Sequence, residues 1–203
     1  VRFVLPAFGD SVEELMAEAR YLIERGIRGI WLPSNLLPGG VSPAHYDLDP
    51  FWALMSDHEV SVCLHVGPDQ PYRSAEWGNA PVFDGFRILT EFKVDPWTLG
   101  NNYLTAQNFL QTMVVGGVFE RHPGLRFGVI EVGAYWLGNL CDIMDMWYKN
   151  SAIFGNSAKV FKLSRKPSDY IRQNVRFSCF DFENVADYIK RHDLEESGYG
   201  GFG

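Results

Sequence analysis

The alternation of strand-like and helix-like segments constrains the fold of this chain more than any other feature. Residues 1–8, VRFVLPAF, and 27–34, IRGIWLPS, are apolar enough to form buried strands. Between them, apolar residues recur at helical spacing over three turns. These residues are Val12, Leu15, Met16, Ala19, Leu22 and Ile23. Strand, helix and strand in this order predict two parallel strands joined by a crossover helix.

The predicted helices carry recognisable signals at their ends. For the first helix, Asp10 is the expected N-terminal cap and Gly26 suits the C-terminal end. A second, short helix is predicted over 49–59, DPFWALMSDHE, with Asp49 as its cap and Pro50 as its first helical residue. These signals place helix boundaries on either side of the second predicted strand.

The same alternation continues to the end of the chain. Further strands are predicted at 60–67 (VSVCLHVG), 124–134 (GLRFGVIEVGA) and 174–180 (NVRFSCF), and GYGGFG at 198–203 is a candidate sixth strand. Residues 101–123 are predicted to form one long helix, although Gly116 and Gly117 weaken its middle. Residues 68–100 are predicted to be a long insertion loop, of the kind that serves as a lid or binding loop.

This pattern predicts an α/β fold with a parallel sheet, in a single domain over residues 1–203. A closed eight-stranded barrel takes about 250 residues, whereas this chain has about six strand candidates in 203 residues. The residues alone therefore leave two architectures open: an open parallel sheet, or a barrel that lacks two strands.

Composition excludes several classes of partner. The formal net charge is -7, which argues against binding to nucleic acid or to an anionic membrane. No apolar run approaches the roughly 20 residues that cross a bilayer. The three cysteines, Cys63, Cys141 and Cys179, are isolated in apolar segments, which indicates a reducing compartment. We therefore expect a cytoplasmic protein.

Chemistry is expected where the strands end, because ligands of parallel sheets bind at the carboxyl ends of the strands. His65 and Glu131 lie there on otherwise apolar strands, and Asp181 follows the fifth strand. Burying Glu131 alone would cost several kcal/mol or raise its pKa strongly, so a cation, an arginine or a metal is expected beside it. His65 alone could be a hydrogen-bonded structural residue, and Glu131 alone could form a structural salt bridge. The two together on neighbouring strands favour a functional site.

The other four histidines carry weaker signals. His45, His58, His122 and His192 lie in polar or charged segments or at helix ends, where a cation complements the helix dipole. We expect each of them to be exposed to solvent or to cap a helix.

Four segments, in this order, resemble the amidohydrolase-related (amidohydrolase 2) metal-dependent hydrolases. They are GIRGIWLPS, YDLDPFWALMSDHEVSVCLHVGP, FERHPGLRFGVIEVGAYWLGNLCDIMD and RQNVRFSCF, and HPGLRFGVIEVGAYWL is the most specific part. The branch concerned includes aminocarboxymuconate-semialdehyde decarboxylase. The resemblance implies a (β/α)8 TIM barrel whose metal, usually zinc, is held by an HxH pair on the first strand, a histidine on the fifth, often a histidine on the sixth, and an aspartate on the eighth.

Transferred to this sequence, the resemblance makes His65 the fifth-strand metal ligand. Glu131 stands where many members carry the sixth-strand histidine, and it would bind metal or position the attacking water. The HxH pair and the last aspartate have no counterpart, so the chain resembles strands three to eight of an incomplete barrel. Because a zinc site needs three or four protein ligands, we expect that this chain alone cannot hold a tight zinc.

The resemblance implies hydrolysis or non-oxidative decarboxylation of a small carboxylate or amide-type substrate, with zinc as the expected divalent metal. Asp181 would be a weaker candidate for a polar contact at the barrel mouth. Two alternatives stay open: a non-catalytic binding or assembly module that kept the fold, and a metal-independent enzyme in which Glu131 is a general base. Unpaired sheet edges template pairing with other chains, so we also expect homo-oligomers.

Overall fold

A computed structural model of the chain describes residues 3–34, 37–65, 75–85, 88–89, 92–93, 95–154 and 163–195. Its strands in chain order are β1 Leu5–Pro6, β2 Gly29–Pro33, β3 Ser61–His65, β4 Ile88–Leu89, β5 Phe92–Lys93, β6 Arg126–Ile130 and β7 Val175–Phe177. Its helices are α1 Val12–Glu24, α2 Asp49–Asp57, α3 Pro96–Asn101, α4 Leu104–Val115, α5 Val118–Arg121, α6 Tyr135–Lys149, α7 Pro167–Asn174 and α8 Ala186–Arg191.

Five strands form one parallel sheet in the order β1-β2-β3-β6-β7. This order follows the chain without a reversal, whereas a doubly wound sheet reverses direction at a switch point. The sheet is therefore wound in one direction, as in a (β/α) barrel. Within the described part of the chain it does not close, because β1 and β7 are its two edges.

The two faces of this sheet differ in what covers them. Successive residues of a strand point to opposite faces, and the register places Trp31, Cys63, Gly128 and Arg176 in one row across β2, β3, β6 and β7. We call the face with this row the inner face. The opposite, outer face carries side chains that are 0% to 3% exposed: Ile30, Leu32, Val62, Leu64, Phe127, Val129, Val175 and Phe177.

Helices cover the outer face and build the core there. The ring of Phe127, for example, contacts Phe109 of α4 at 6.1 Å and Phe119 of α5 at 5.9 Å between centroids. The inner face instead lines an open cleft of about 460 Å³, to which Cys63 and Arg176 contribute. One face of the sheet is thus packed as in a complete domain, and the other is not.

The first helix begins one residue later than the sequence signals indicate. Ser11, not Asp10, is the N-cap: its Oγ accepts a hydrogen bond from the Glu14 backbone N–H at 3.2 Å. The Glu14 carboxylate in turn accepts one from the Asp10 backbone N–H at 2.7 Å. The expected cap at Asp10 is therefore wrong, and Ser11 and Glu14 form the cap instead. The prediction for Gly26 is confirmed, since it follows the helix with a φ of +84°.

The second helix also differs from expectation at its start. Asp49 lies inside α2 and does not cap it; Leu48 is the N-cap residue. The Asp49 carboxylate instead accepts hydrogen bonds from Arg121 at 3.0 Å and lies 3.2 Å from Nε2 of His122. The prediction that His122 is exposed or caps a helix is confirmed in its second part, since His122 is the C-cap residue of α5; its side chain is only 12% exposed. The ion pairs fasten α2 to α5.

The long helix predicted over 101–123 is divided. Gly117 has a φ of +74°, a left-handed conformation that glycine adopts without a side-chain clash, and it separates α4 from α5. The described part of the 68–100 segment contains two short 3₁₀ turns, the antiparallel pair β4–β5 and the start of α3. The candidate strand at 198–203 lies outside the described residues. No described helix is long and apolar enough to span a membrane.

Candidate functional site

The structure brings His65 and Glu131 into contact at the carboxyl edge of the sheet. His65 is the last residue of β3, and Glu131 is the first residue after β6, the neighbouring strand. Nε2 of His65 lies 3.0 Å from Oε2 of Glu131. The two residues predicted from the sequence as site candidates therefore share one place, although 65 and 131 are far apart in the chain.

This contact is half open to solvent. The His65 side chain is 45% exposed and the Glu131 side chain 55%. An ion pair at that exposure contributes about 0 to 1 kcal/mol to folding, so the pair adds little to stability. Stabilisation by a salt bridge therefore does not by itself explain why two polar residues lie at the ends of apolar strands.

Two aromatic side chains line the inner face beside this pair. The Trp31 ring lies 6.2 Å from the His65 ring, and the Phe8 ring packs edge-on against Trp31 at 5.6 Å between centroids. Phe8 is 58% exposed. The sequence indicates the face to which Trp31 points, because Trp31 alternates with Ile30 and Leu32, whose side chains point to the outer face. The site therefore has an apolar, aromatic wall next to its polar pair.

Two side chains from the segment after β7, the neighbouring strand, hold the backbone that follows β6. Glu131 has a φ of +60°, and its N–H donates a hydrogen bond to Oγ of Ser178 at 3.1 Å. The carboxylate of Glu183 accepts hydrogen bonds from the N–H of Ala134 at 2.9 Å and from the N–H of Phe180 at 2.8 Å. The sequence analysis did not identify Ser178 or Glu183. The position of Ser178 at the end of a strand could have indicated a role, whereas no local pattern marks Glu183.

Asp181, the third predicted site residue, is exposed in the turn between β7 and α8. It makes no hydrogen bond or ion pair with any residue in the described ranges. The structure therefore does not bring Asp181 into the contact between His65 and Glu131, and its role at the barrel mouth stays a prediction.

The donor set fits a divalent metal in kind but not in number. An imidazole nitrogen and a carboxylate oxygen suit zinc or manganese. Zinc takes three or four protein ligands, and among the residues that the structure describes, no three of His, Cys, Asp and Glu come together at a potential metal site. Burial raises the pKa of the neighbouring Cys63 thiol to about 11, so it is protonated at neutral pH. The described part of the chain supplies two adjacent donors of an incomplete site.

Known proteins resemble the chain both in sequence and in structure. The gamma-resorcylate decarboxylase of Rhodococcus jostii is 30% identical over 106 residues, which are 49% of this chain and 28% of that protein. An amidohydrolase from Mycobacterium avium subsp. paratuberculosis superposes with a TM-score of 0.68 at 21% identity, over 93% of this chain and 44% of that one.

A dihydroxybenzoic acid decarboxylase from Polaromonas sp., solved with manganese and the inhibitor 2-nitroresorcinol, superposes with a TM-score of 0.52 at 16% identity, over 95% of this chain and 55% of that one. This chain thus spans about half the length of these solved structures. At these identities the superpositions show a shared fold, and the predicted incomplete (β/α)8 barrel is confirmed.

The sequence model described as Amidohydrolase matches residues 1–192. That match includes the pair His65 and Glu131 together with the five parallel strands that carry it. The family implied by the four sequence segments is therefore confirmed, and this chain belongs to the amidohydrolase family.

Proposed function

We propose that this chain carries one part of the active site of a metal-dependent decarboxylase or hydrolase that acts on a small organic acid or amide. The observation that carries the proposal is the 3.0 Å contact between His65 Nε2 and Glu131 Oε2 at the ends of neighbouring parallel strands. Its support is chemical: two potential metal ligands are adjacent, half exposed to solvent and of little use to stability.

In this proposal His65 is a metal ligand, and Glu131 is a second ligand or holds the water molecule beside the metal. A divalent metal bound there would supply a water of lowered pKa or polarise a substrate carboxylate. Zinc is the expected metal, and manganese, present in the Polaromonas decarboxylase structure, accepts the same two donor types. The remaining ligands would come from polypeptide other than the residues described.

We favour decarboxylation of a flat aromatic acid over hydrolysis. The curated relative with 30% identity is a decarboxylase. Trp31 and Phe8 form an aromatic wall whose nearer ring is 6.2 Å from the His65 ring, and an aromatic substrate can pack on such a wall with a favourable ring contact. Asp181 is proposed as a polar contact at the rim, where its exposed carboxylate faces solvent.

Self-association is part of the same proposal. Among the strands that the structure describes, β1 and β7 are the two edges of the sheet, and the described residues leave the inner face partly uncovered. Unpaired strand edges favour pairing with other chains. We expect the purified protein to sediment as a homo-oligomer, and a well-behaved monomer at micromolar concentration would contradict this part.

The test is an activity assay on the full-length protein, loaded with Zn²⁺ or Mn²⁺, that measures carbon dioxide release from a panel of hydroxybenzoic acids and amine release from a panel of aryl amides. His65→Ala and Glu131→Gln should each lower kcat/KM at least about a hundredfold. His45→Ala is the matched control, because His45 is a half-exposed histidine whose ring contacts Asp47 of its own turn. Activity that survives in His65→Ala would contradict the proposal.

Two further outcomes identify the alternatives. Full activity after removal of all metal by a chelator would favour a metal-independent enzyme with Glu131 as general base. The second candidate, a non-catalytic module, is favoured by the incomplete donor set in the described part of the chain. Absence of both metal and activity from the full-length protein would support that module.

A further inference from the structure

The alternation of side chains along β6 predicts the wrong face for Glu131. The register pairs His65 with Ile130, so these two residues share a face, which is the inner one. Phe127 and Val129 point to the outer face and are 2% and 1% exposed. If the strand continued with extended geometry, Glu131 would follow Val129 to the outer face, away from His65.

A left-handed turn at Glu131 breaks this alternation. Within the described ranges, the non-glycine residues with positive φ are Glu59, Glu131 and Asp193. Glu59 and Asp193 each directly follow the C-cap residue of a helix, a position where a left-handed conformation is common. Glu131 instead follows a strand, where no such helix ending accounts for its φ of +60°. Backbone strain of this kind persists when surrounding contacts impose it, and it clusters at functional sites.

Two side chains impose the turn. Ser178 is 6% exposed, and its Oγ accepts the Glu131 N–H at 3.1 Å. Glu183 fixes the other end of the turn through the Ala134 N–H at 2.9 Å. It also binds the Phe180 N–H at 2.8 Å, so one carboxylate ties the loop after β6 to the loop after β7.

We infer that Ser178 and Glu183 are positioning residues that hold the left-handed turn at Glu131 and thereby aim its carboxylate at His65. The inference rests on the proposed function, since it assigns a purpose to that aim. Neither side chain needs to touch substrate. Each acts on the reaction only through the direction of the Glu131 side chain.

The strain itself is tested at position 131. Glu131→Gly and Glu131→Ala both remove the carboxylate, but only glycine adopts the left-handed conformation without cost. From a penalty of about 1 kcal/mol, the unfolding equilibrium constant of Glu131→Gly should be roughly fivefold smaller than that of Glu131→Ala. Equal constants in a urea titration would show that the turn is not strained and would overturn the inference.

The anchors are tested by kinetics in the full-length protein. Ser178→Ala and Glu183→Ala should lower kcat by about 10- to 100-fold with little change in KM, as for residues that orient a metal ligand. Glu183→Gln keeps one acceptor oxygen and should restore part of kcat. Amide hydrogen exchange should accelerate at Glu131 in Ser178→Ala and at Ala134 in Glu183→Ala, because each N–H group loses its acceptor.

Two matched controls separate positioning from stability. Ser168 is a buried serine whose hydroxyl bonds to Asp145 in the outer helices, and Glu120 is a carboxylate that accepts from Ser164. Ser168→Ala and Glu120→Ala should lower stability and leave kcat unchanged.

The outcomes distinguish this inference from the proposed function. If the wild type is active and the anchor variants keep their kcat, or lose no more than the controls do, the inference fails and the function stands. If the wild type has neither metal nor activity, the function fails. The hydrogen exchange and the glycine-to-alanine ratio then decide alone whether Ser178 and Glu183 hold the turn.

Discussion

The two faces of the parallel sheet belong to the same five strands but differ in how deeply their side chains are buried. On the outer face, every side chain from Ile30 to Phe177 that points outward within the sheet core is 0% to 3% exposed. On the inner side, the His65 side chain is 45% and that of Arg126 is 56% exposed. The outer face therefore holds the fold together, whereas the inner face, within the residues that the structure describes, stays more open to solvent and carries the proposed site.

Charged groups show the same difference. In the helices that cover the outer face, the carboxylate of Asp49 accepts a hydrogen bond from Arg121 and contacts the ring of His122. On the inner face, Arg176 donates to the backbone carbonyls of Arg172 and Val175, and it meets no carboxylate among the residues described. This chain spans about half the length of the related structures.

The largest expected effect is a truncation on the outer face. Leu64→Ala should lower the free energy of unfolding by about 2 to 5 kcal/mol, because it leaves a cavity in a closed core. Ile130→Ala, a truncation of similar size on the inner face, should cost about 1 kcal/mol, since Ile130 keeps part of its surface in water. Urea titration measures both. Equal costs would break the comparison and indicate that Ile130 is as fully buried in solution as Leu64.

The next effect concerns the ion pairs. Asp49→Asn should cost about 2 kcal/mol, because Arg121 and His122 lose a carboxylate in a site where the His122 side chain is only 12% exposed. Glu59→Gln breaks the exposed contact with Arg126 and should cost at most about 0.5 kcal/mol. The same titration at low and high salt checks this, and a loss at Glu59 as large as at Asp49 would contradict it.

The smallest effect is a pH dependence in the outer helices. Burial raises the pKa of the Cys141 thiol from its ordinary value of 9.0 to about 12. Above pH 9 the unfolded chain loses this proton while the folded chain keeps it, so stability falls as pH rises from 9 towards 12.

Between pH 8 and pH 10, the wild type should therefore lose about 1 kcal/mol more stability than Cys141→Ala. The difference in urea midpoints between the two proteins measures this term. The same slope in both proteins would show that the Cys141 thiol is not shielded from solvent.

The sequence was informative wherever the cause of a structure is local. Apolar runs such as 60–65 and 126–130 predict strands, and their order predicts which strand ends lie side by side. For that reason His65 and Glu131 could be identified as a pair before any coordinates. The packed outer face follows from the same alternation.

The rest depends on contacts between distant segments. Asp49 is a residue type that often caps helices, but its carboxylate instead contacts Arg121 and His122, which are more than seventy residues away in the sequence. The positive φ of Glu131 likewise depends on Ser178 and Glu183, which follow it by about fifty residues. No periodicity or local motif encodes such contacts.

The most direct test of the central claim, that His65 and Glu131 together form a metal-binding pair, is paramagnetic broadening in NMR spectra. The five histidines each give ring proton signals, and small additions of Mn²⁺ broaden the signals of rings that bind the ion. We predict that the His65 signals broaden first and that Glu131→Gln weakens this effect, while His45 and His58 stay sharp. Broadening of His45, His58 or another histidine before His65, or an unchanged effect in Glu131→Gln, would show that His65 and Glu131 do not form a metal-binding pair.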